Sequence, residues 1–144
     1  MKIEELKLDV EKIKEEKVIT FEEGLPGFEH LTKFVILEDQ ATATFMYLQS
    51  LEDEEVCFVI TNPYHFKKDY APVITEGYFE KLGGGKDEEF AIYAISCIKN
   101  PVCESTLNLA GPILIQTKYL KGIQVVTEEN EYCTKHKITD LLQG

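Results

Sequence analysis

The groups of this 144-residue chain that could do chemistry are its histidine, cysteine, serine and carboxylate side chains. A hydrolytic or transfer site needs a nucleophile, a base and a group that orients the base. The three histidines, His30, His65 and His136, are far apart in the sequence, and no serine lies in a Gly-x-Ser-x-Gly turn. The carboxylates form runs at 52–55 and 87–89, whereas acid–base pairs need carboxyl groups in different environments. This pattern gives no positive evidence for an enzyme, although an unrecognised hydrolase stays a minor alternative.

A glycine run at 83–85 precedes Lys86 and could be mistaken for a phosphate-binding loop. That motif consists of a glycine, four residues of any type, and then Gly-Lys followed by Ser or Thr. The run at 83–85 does not match this spacing. We therefore interpret the run as a turn that closes a short helix.

The four cysteines are Cys57, Cys97, Cys103 and Cys133. They contain no Cys-x-x-Cys pair, and only Cys133 has a histidine close by in the sequence, so the spacing does not predict a metal site. Cys57 and Cys97 lie in apolar runs, where a free thiol behaves as a small hydrophobic side chain. We expect reduced, structural thiols and no cofactor.

The charge is strongly acidic, with 26 Asp and Glu against 15 basic residues and a net charge of −11. All the basic residues are lysines, so the chain lacks the arginine that recognises phosphate and guanine with paired hydrogen bonds. Direct nucleic-acid binding is therefore not expected, whereas a basic protein partner is plausible. The alternative is that the acids only keep a small protein soluble.

The sequence also predicts the compartment. No segment approaches the ~18 consecutive apolar residues of a membrane span. Residues 1–17 are charged throughout and lack the apolar region of a signal peptide. We expect a cytoplasmic protein.

The elements that would position any site are mostly strands. Short runs rich in β-branched and aromatic residues predict strands at 18–21, 33–37, 45–48, 56–60 and 90–95. The segment 107–126 predicts two or three more, with a break at Gly111-Pro112 and a turn near Lys121-Gly122. Short helices are expected at 76–82 and 138–142, while residues 3–13 fit either strand or helix. The expectation is a single domain, 1–144, mainly β, forming a small antiparallel β-barrel-like fold with one or two short helices.

Three loops carry apolar residues where polar ones are usual: GLPGF (24–28), NPYHFKKDY (62–70) and NLAGP (108–112). Tyr64, Phe66 and Tyr70 in the second loop alternate with charged residues. Such a loop is either a lid over the core or an interface in which aromatic side chains anchor a partner. The residues alone leave both interpretations open.

In their order along the chain, GLPGFE (24–29), FMYLQSLED (45–53), FVITNPYHFKKDY (58–70), NLAGPILIQ (108–116) and KGIQVV (121–126) resemble the FliW family of flagellar assembly factors. The resemblance extends from about Val18 to His136. It implies a small barrel-like fold and a cytoplasmic protein without catalytic activity. It also implies two partners: the basic translational regulator CsrA, and free flagellin. Flagellin that accumulates would capture the protein and release CsrA to repress flagellin synthesis, which is a partner switch.

The resemblance departs from the family pattern at two places. Gly111 precedes Pro112 where the family usually has another residue, and Lys135 stands where an arginine is common. Lysine cannot make the forked contact of arginine, so a contact at that position would be weaker.

The predicted partner-binding residues lie in the second apolar loop and just after it. Acidic side chains would attract the basic partner, while Leu25 and Phe28 are expected to pack partly inward, and Gln49, Ser50 and Asn108 to bind backbone. Replacing Asp69 and Tyr70 with alanine should weaken CsrA binding and leave the thermal melt nearly unchanged. A collapsed melt would show that they hold the fold instead. The alternative function is a chaperone specific for flagellin with no role for CsrA. The predicted residues are Asn62, Pro63, Tyr64, Phe66, Asp69, Tyr70 and Glu76.

Overall fold

The computed structural model describes residues 18–39, 42–127 and 132–143, and in them the chain is mainly β. These described residues contain two short helices, α1 (Glu76–Lys81) and α2 (Ile138–Gln143), together with 3-10 turns at Pro63–His65, Asp87–Glu89 and Val102–Glu104. The question of strand or helix at 3–13 lies outside the described residues. The strands are β1 (Ile19–Thr20), β2 (Lys33–Asp39), β3 (Thr42–Ser50), β4 (Cys57–Thr61), β5 (Phe90–Cys97), β6 (Thr106–Leu107), β7 (Ile113–Gln116), β8 (Lys121–Gln124) and β9 (His136–Lys137).

The strands close into a ring. The hydrogen-bonded order is β4-β3-β2-β1-β8-β7-β5-β6-β9, and a further pairing between β4 and β5 joins the ring. β6 pairs with the end of β5, at Ser96 and Cys97, and β9 pairs with β6. The mainly β, barrel-like fold with two short helices is confirmed.

One pairing differs from the predicted antiparallel arrangement. β1 and β8 run parallel, with Thr20 opposite Lys121. Antiparallel neighbours can be joined by a tight hairpin, whereas parallel ones need a long connection. Between β1 and β8 the chain passes through the other strands of the ring, which provides this long connection. The first and the last strand of the ring then pair with each other.

The inside of the ring holds the main core. Because successive side chains on a strand point to opposite faces, alternate residues of each strand line the interior. Phe21 and Phe34 are fully buried there, and their rings meet edge to face with centroids 5.3 Å apart. The other buried residues of this cluster are Ile19, Leu25, Leu31, Leu48, Ile60, Ile113 and Ile115.

The outer face of the sheet is covered in two places. Leu114 and Ile123 point outward and are buried beneath α1, against Leu82. Farther along β5, Ala94 is buried in a cluster that includes Tyr70 and residues from the segment after 132. The sheet is therefore covered by apolar side chains on both faces at β5 and β7. For this reason both strands appear in the sequence as continuous apolar runs.

The GLPGF turn is held from within. Gly24 has a φ of +65°, which favours glycine, and a Cβ there would lie 2.5 Å from the Cα of Glu29. Leu25 is only 2% exposed, and the half-buried ring of Phe28 meets Phe58 edge to face at 5.4 Å. Inward packing of Leu25 and Phe28 is confirmed.

The predicted turn at Lys121-Gly122 is wrong, since both residues lie in β8. The chain turns earlier, between β7 and β8. Gln116, at the end of β7, is buried, and its Oε1 accepts hydrogen bonds from the backbone N–H groups of Lys118 (2.6 Å) and Tyr119 (2.8 Å). A buried side chain, and not a glycine, organises this turn.

All four cysteines are free thiols. Cys57 is half-buried, and burial raises its pKa to about 11, so it stays protonated at neutral pH. Cys97 ends β5 and is exposed. The prediction of structural thiols therefore suits Cys57 but is wrong for the three exposed cysteines, Cys97, Cys103 and Cys133. Cys97 is exposed because β5 leaves the core there.

Three polar residues bind backbone groups, as predicted. Gln49 Nε2 donates to the carbonyl of Ser50 at 2.9 Å. Ser50 Oγ accepts from the N–H groups of Glu52 and Asp53, and Asn108 Oδ1 accepts from those of Ala110 and Gly111. These bonds fix the ends of strands and the loops that follow.

Candidate partner-binding surface

The loop after β4 is shaped by its first two residues. Asn62 Oδ1 accepts a hydrogen bond from the N–H of Tyr64 at 2.9 Å and so caps the 3-10 turn Pro63–His65. Pro63 is buried at the first position of that turn, where a missing N–H costs nothing. Phe66 and Lys67 then donate their N–H groups to the carbonyl of Pro63. The effect is to present Tyr64 and His65 outward.

Tyr70 anchors the other end of the loop. Its side chain is 3% exposed, and its hydroxyl donates to the carbonyl of Leu109 at 2.6 Å. Its ring meets Tyr132 edge to face at 4.8 Å and lies 5.8 Å from the ring of Tyr64. Tyr132 accepts a hydrogen bond from the N–H of Ala71 at 3.0 Å. The loop is thereby fixed to a segment 61 residues away in sequence.

The charges beside these rings are mostly basic. Lys67 Nζ lies 3.1 Å from Asp69 Oδ1, and this hydrogen bond, helped by the lysine charge, lowers the pKa of Asp69. Burial, and then the nearby charge of Lys67, lower the pKa of His136. His136 Nε2 accepts the N–H of Cys133 at 2.8 Å, so this nitrogen carries no proton while the bond exists. Lys67 thus lies beside both segments.

The structure gives the predicted partner-binding residues different surroundings. Tyr64, Asp69 and Glu76 are exposed, with Tyr64 at 38%. Glu76 begins α1 and lines a separate shallow groove with other acidic residues. The rest are partly or fully buried and shape the loop or its packing: Asn62, Pro63, Phe66 and Tyr70. The burial of Tyr70 changes the expected result of replacing Asp69 and Tyr70 together, because the loss of Tyr70 would itself lower the thermal melt.

Sequence reasoning did not connect this loop with the segment 132–136. The buried Tyr132 supports the loop from beneath and the half-buried His136 lies at its edge, yet both follow the loop by more than sixty residues. The signal available was the cluster of aromatic and basic residues in YCTKH, which matches the composition of the loop. Spacing alone could not show that the two clusters meet.

A second group of charged residues surrounds the GLPGF turn. Glu23 pairs with Lys81 of α1 at 3.2 Å, and Glu22 pairs with Lys121 of β8 at 3.4 Å. All four side chains are at least partly exposed, so these pairs contribute little to stability. They line a shallow groove between the turn, α1 and β8.

Another acid in this acidic chain has a structural role. Glu52 Oε1 accepts the N–H groups of Thr32 (2.6 Å) and Lys33 (2.9 Å). These backbone hydrogen bonds lower the pKa of Glu52. Its carboxylate therefore joins the start of β2 to the loop after β3.

Neither a metal cluster nor a membrane helix is found in the described parts of the chain. Among residues 18–39, 42–127 and 132–143, no group of three or more His, Cys, Asp or Glu side chains could hold a metal ion. Within the same ranges no helix is long and apolar enough to cross a membrane.

Comparison with known proteins places the chain in a family. The family model described as FliW protein matches residues 2–138. The flagellar assembly factor FliW of Alkaliphilus metalliredigens is 36% identical over 132 residues, which cover 91% of this chain and 82% of the relative. That of Thermotoga neapolitana is 35% identical over 138 residues, 95% of this chain and 93% of the relative. A crystal structure of the flagellar assembly factor FliW superposes with a TM-score of 0.81 at 31% identity, covering 86% of both chains. The chain belongs to the FliW family of flagellar assembly factors.

Proposed function

We propose that this protein is a non-catalytic, cytoplasmic binding protein that sequesters CsrA and also binds free flagellin. Flagellin that is not exported captures the protein and releases CsrA, so that flagellin synthesis follows export. Membership of the FliW family is the observation that carries this proposal. The exchange requires that bound flagellin lowers the affinity for CsrA, and by linkage bound CsrA then lowers the affinity for flagellin by the same factor.

The charge of the molecule supports the CsrA half of the proposal. A net charge of −11 with no arginine suits a basic protein partner and opposes nucleic acid. Exposed acids line the shallow groove beside α1, at Glu76, Glu80 and Asp87. Electrostatic attraction would raise the rate at which CsrA meets this surface.

The predicted partner-binding residues have two roles in this proposal. Tyr64, Asp69 and Glu76 contact partners directly, because their side chains are exposed. The buried and half-buried members hold the loop in position, and their replacement would act through loop shape: Asn62, Pro63, Phe66 and Tyr70.

Calorimetry tests the proposal. The protein is titrated into purified CsrA, and the titration is repeated with flagellin already bound to the protein. Heat from CsrA that flagellin abolishes is the expected result. Heat from flagellin with none from CsrA would reject the regulatory half and leave a chaperone.

The flagellin-specific chaperone is the second candidate. The exposed Tyr64 ring, backed by Tyr70 and Tyr132, favours it, since an aromatic surface can cover an apolar helix of a partner. Salt distinguishes the two activities. Binding of basic CsrA should weaken as salt rises, whereas apolar capture of a helix should change little.

A further inference from the structure

The surface around Tyr64 differs in charge from the rest of the molecule. We name the surface formed by residues 64–70 and 132–136 the aromatic–lysine face. It carries three lysines, Lys67, Lys68 and Lys135, against the single acid Asp69, a formal charge of +2. The whole chain carries −11, so the remainder carries −13. Glutamates at 128, 129 and 131 precede this face in the sequence but lie outside the described residues.

The two segments of the face are held together by direct contacts. The rings of Tyr70 and Tyr132 lie 4.8 Å apart, and Ala71 donates its N–H to Tyr132 at 3.0 Å. The face is therefore built into the fold and is not two independent loops.

The face offers one apolar anchor among cations. Tyr64 is 38% exposed and rests on the buried Tyr70. His65, Lys68 and Lys135 are exposed on the same two segments. Asp69 is already engaged by Lys67 at 3.1 Å, so it adds little attraction for a basic partner. Supported tyrosines of this kind are frequent energetic centres of protein interfaces.

We propose that the aromatic–lysine face binds a protein segment that carries carboxylates beside apolar side chains. Its lysines would attract such a segment and repel a basic one, while Tyr64 would pack against the apolar side chains. The inference goes beyond the proposed function, since it assigns this face to a partner of the opposite charge to CsrA. It leaves the acidic groups elsewhere, including Glu76, for the basic partner. The molecule thus has two docking surfaces of opposite polarity.

Two synthetic peptides test the proposal with the full-length chain. Both have the same leucines at helical spacing, and one has glutamate wherever the other has lysine. Binding is followed by backbone amide NMR shifts of the isotope-labelled protein. We expect the glutamate peptide to shift the amides of 64–68 and 133–136 and to bind at least about 10-fold more tightly than the lysine peptide. Equal affinities, or shifts confined to other surfaces, would overturn the proposal. So would a single-stranded oligonucleotide that binds this face more tightly than the glutamate peptide.

Charge-reversal variants locate the effect. Lys68→Glu with Lys135→Glu should reduce the preference for the glutamate peptide at least about 10-fold. The matched control, Lys86→Glu with Lys118→Glu, makes the same change in net charge at exposed lysines outside the face and should leave the preference unchanged. Equal losses in both variants would show that only the overall charge matters and would overturn the assignment. Neither peptide is related to CsrA or flagellin, so this result is independent of the calorimetry.

Discussion

At the level of single residues, Tyr70 holds the candidate partner-binding surface in place. Its hydroxyl satisfies the carbonyl of Leu109, and its ring separates the exposed Tyr64 from the buried Tyr132. The loop therefore covers part of the core through Tyr70 and leaves Tyr64 exposed for the proposed contact with a partner. The buried side of Tyr70 belongs to the core, while Tyr64 faces solvent.

Replacing Tyr70 with phenylalanine removes this hydroxyl and leaves the ring in place. The carbonyl of Leu109 then loses a buried donor, so we expect the free energy of unfolding to fall by about 1–3 kcal/mol. Urea denaturation of the variant measures the loss. Tyr119→Phe is the control, because Tyr119 is 49% exposed and should change stability little. Equal effects of the two replacements would show that the Leu109 contact does not stabilise the fold.

His136 makes the stability of the face depend on pH. Its pKa in the folded chain lies below the ordinary value of 6.5, so the unfolded chain takes up the proton first. Stability from neutral His136 is therefore complete above about pH 6.5 and is lost as the pH falls toward the lowered folded pKa. The thermal melt should fall more steeply between about pH 7.5 and about pH 5.5 in the natural protein than in His136→Gln. Identical slopes in the two proteins would show that His136 does not contribute.

At the level of elements, the two glycines of the GLPGF turn differ in their surroundings. Both have a backbone conformation that strains other residues, but only Gly24 also lacks space for a side chain. Gly24 and Gly27 both have positive φ, +65° and +85°. A Cβ at Gly24 would lie 2.5 Å from the backbone of Glu29, whereas a Cβ at Gly27 meets nothing within 4 Å.

The matched replacements Gly24→Ala and Gly27→Ala test this difference. Gly27→Ala should cost about 1–2 kcal/mol, the usual penalty of a left-handed conformation for alanine. Gly24→Ala should cost more, because the backbone must also move. Chemical denaturation of both variants measures the costs. A smaller loss at Gly24 than at Gly27 would contradict the geometry of the turn.

The elements also show what the sequence can predict. Runs such as FAIYAISC and ILIQ identified β5 and β7 because burial on both faces leaves few polar residues in them. The parallel pairing of β1 with β8 has no local signal, since it depends on how the ring closes. The loop at 62–70 was predicted from its own composition, but its contact with Tyr132 depends on tertiary packing. Local sequence patterns therefore predicted the strands and the loop. They could not predict the candidate site, because it depends on contacts between residues far apart in the sequence.

At the level of the whole molecule, the uneven charge predicts a response to salt. The chain has a net charge of −11, and salt ions can screen the acidic side chains that are exposed to solvent. Raising the ionic strength from about 0.1 M to about 1 M shortens the screening length from about 10 Å to about 3 Å. CsrA binding should therefore weaken several-fold over this range, as measured by calorimetry at each salt concentration. An affinity that does not change with salt would mean that the acidic surface does not drive the encounter.

The central claim is that one protein exchanges CsrA for flagellin, and displacement from a preformed complex tests it most directly. Fluorescently labelled CsrA is saturated with the protein, and unlabelled flagellin is then added while anisotropy is followed. We expect the anisotropy to fall to the value of free CsrA as the flagellin concentration rises. Anisotropy that stays high or increases, with flagellin joining the complex, would contradict the switch.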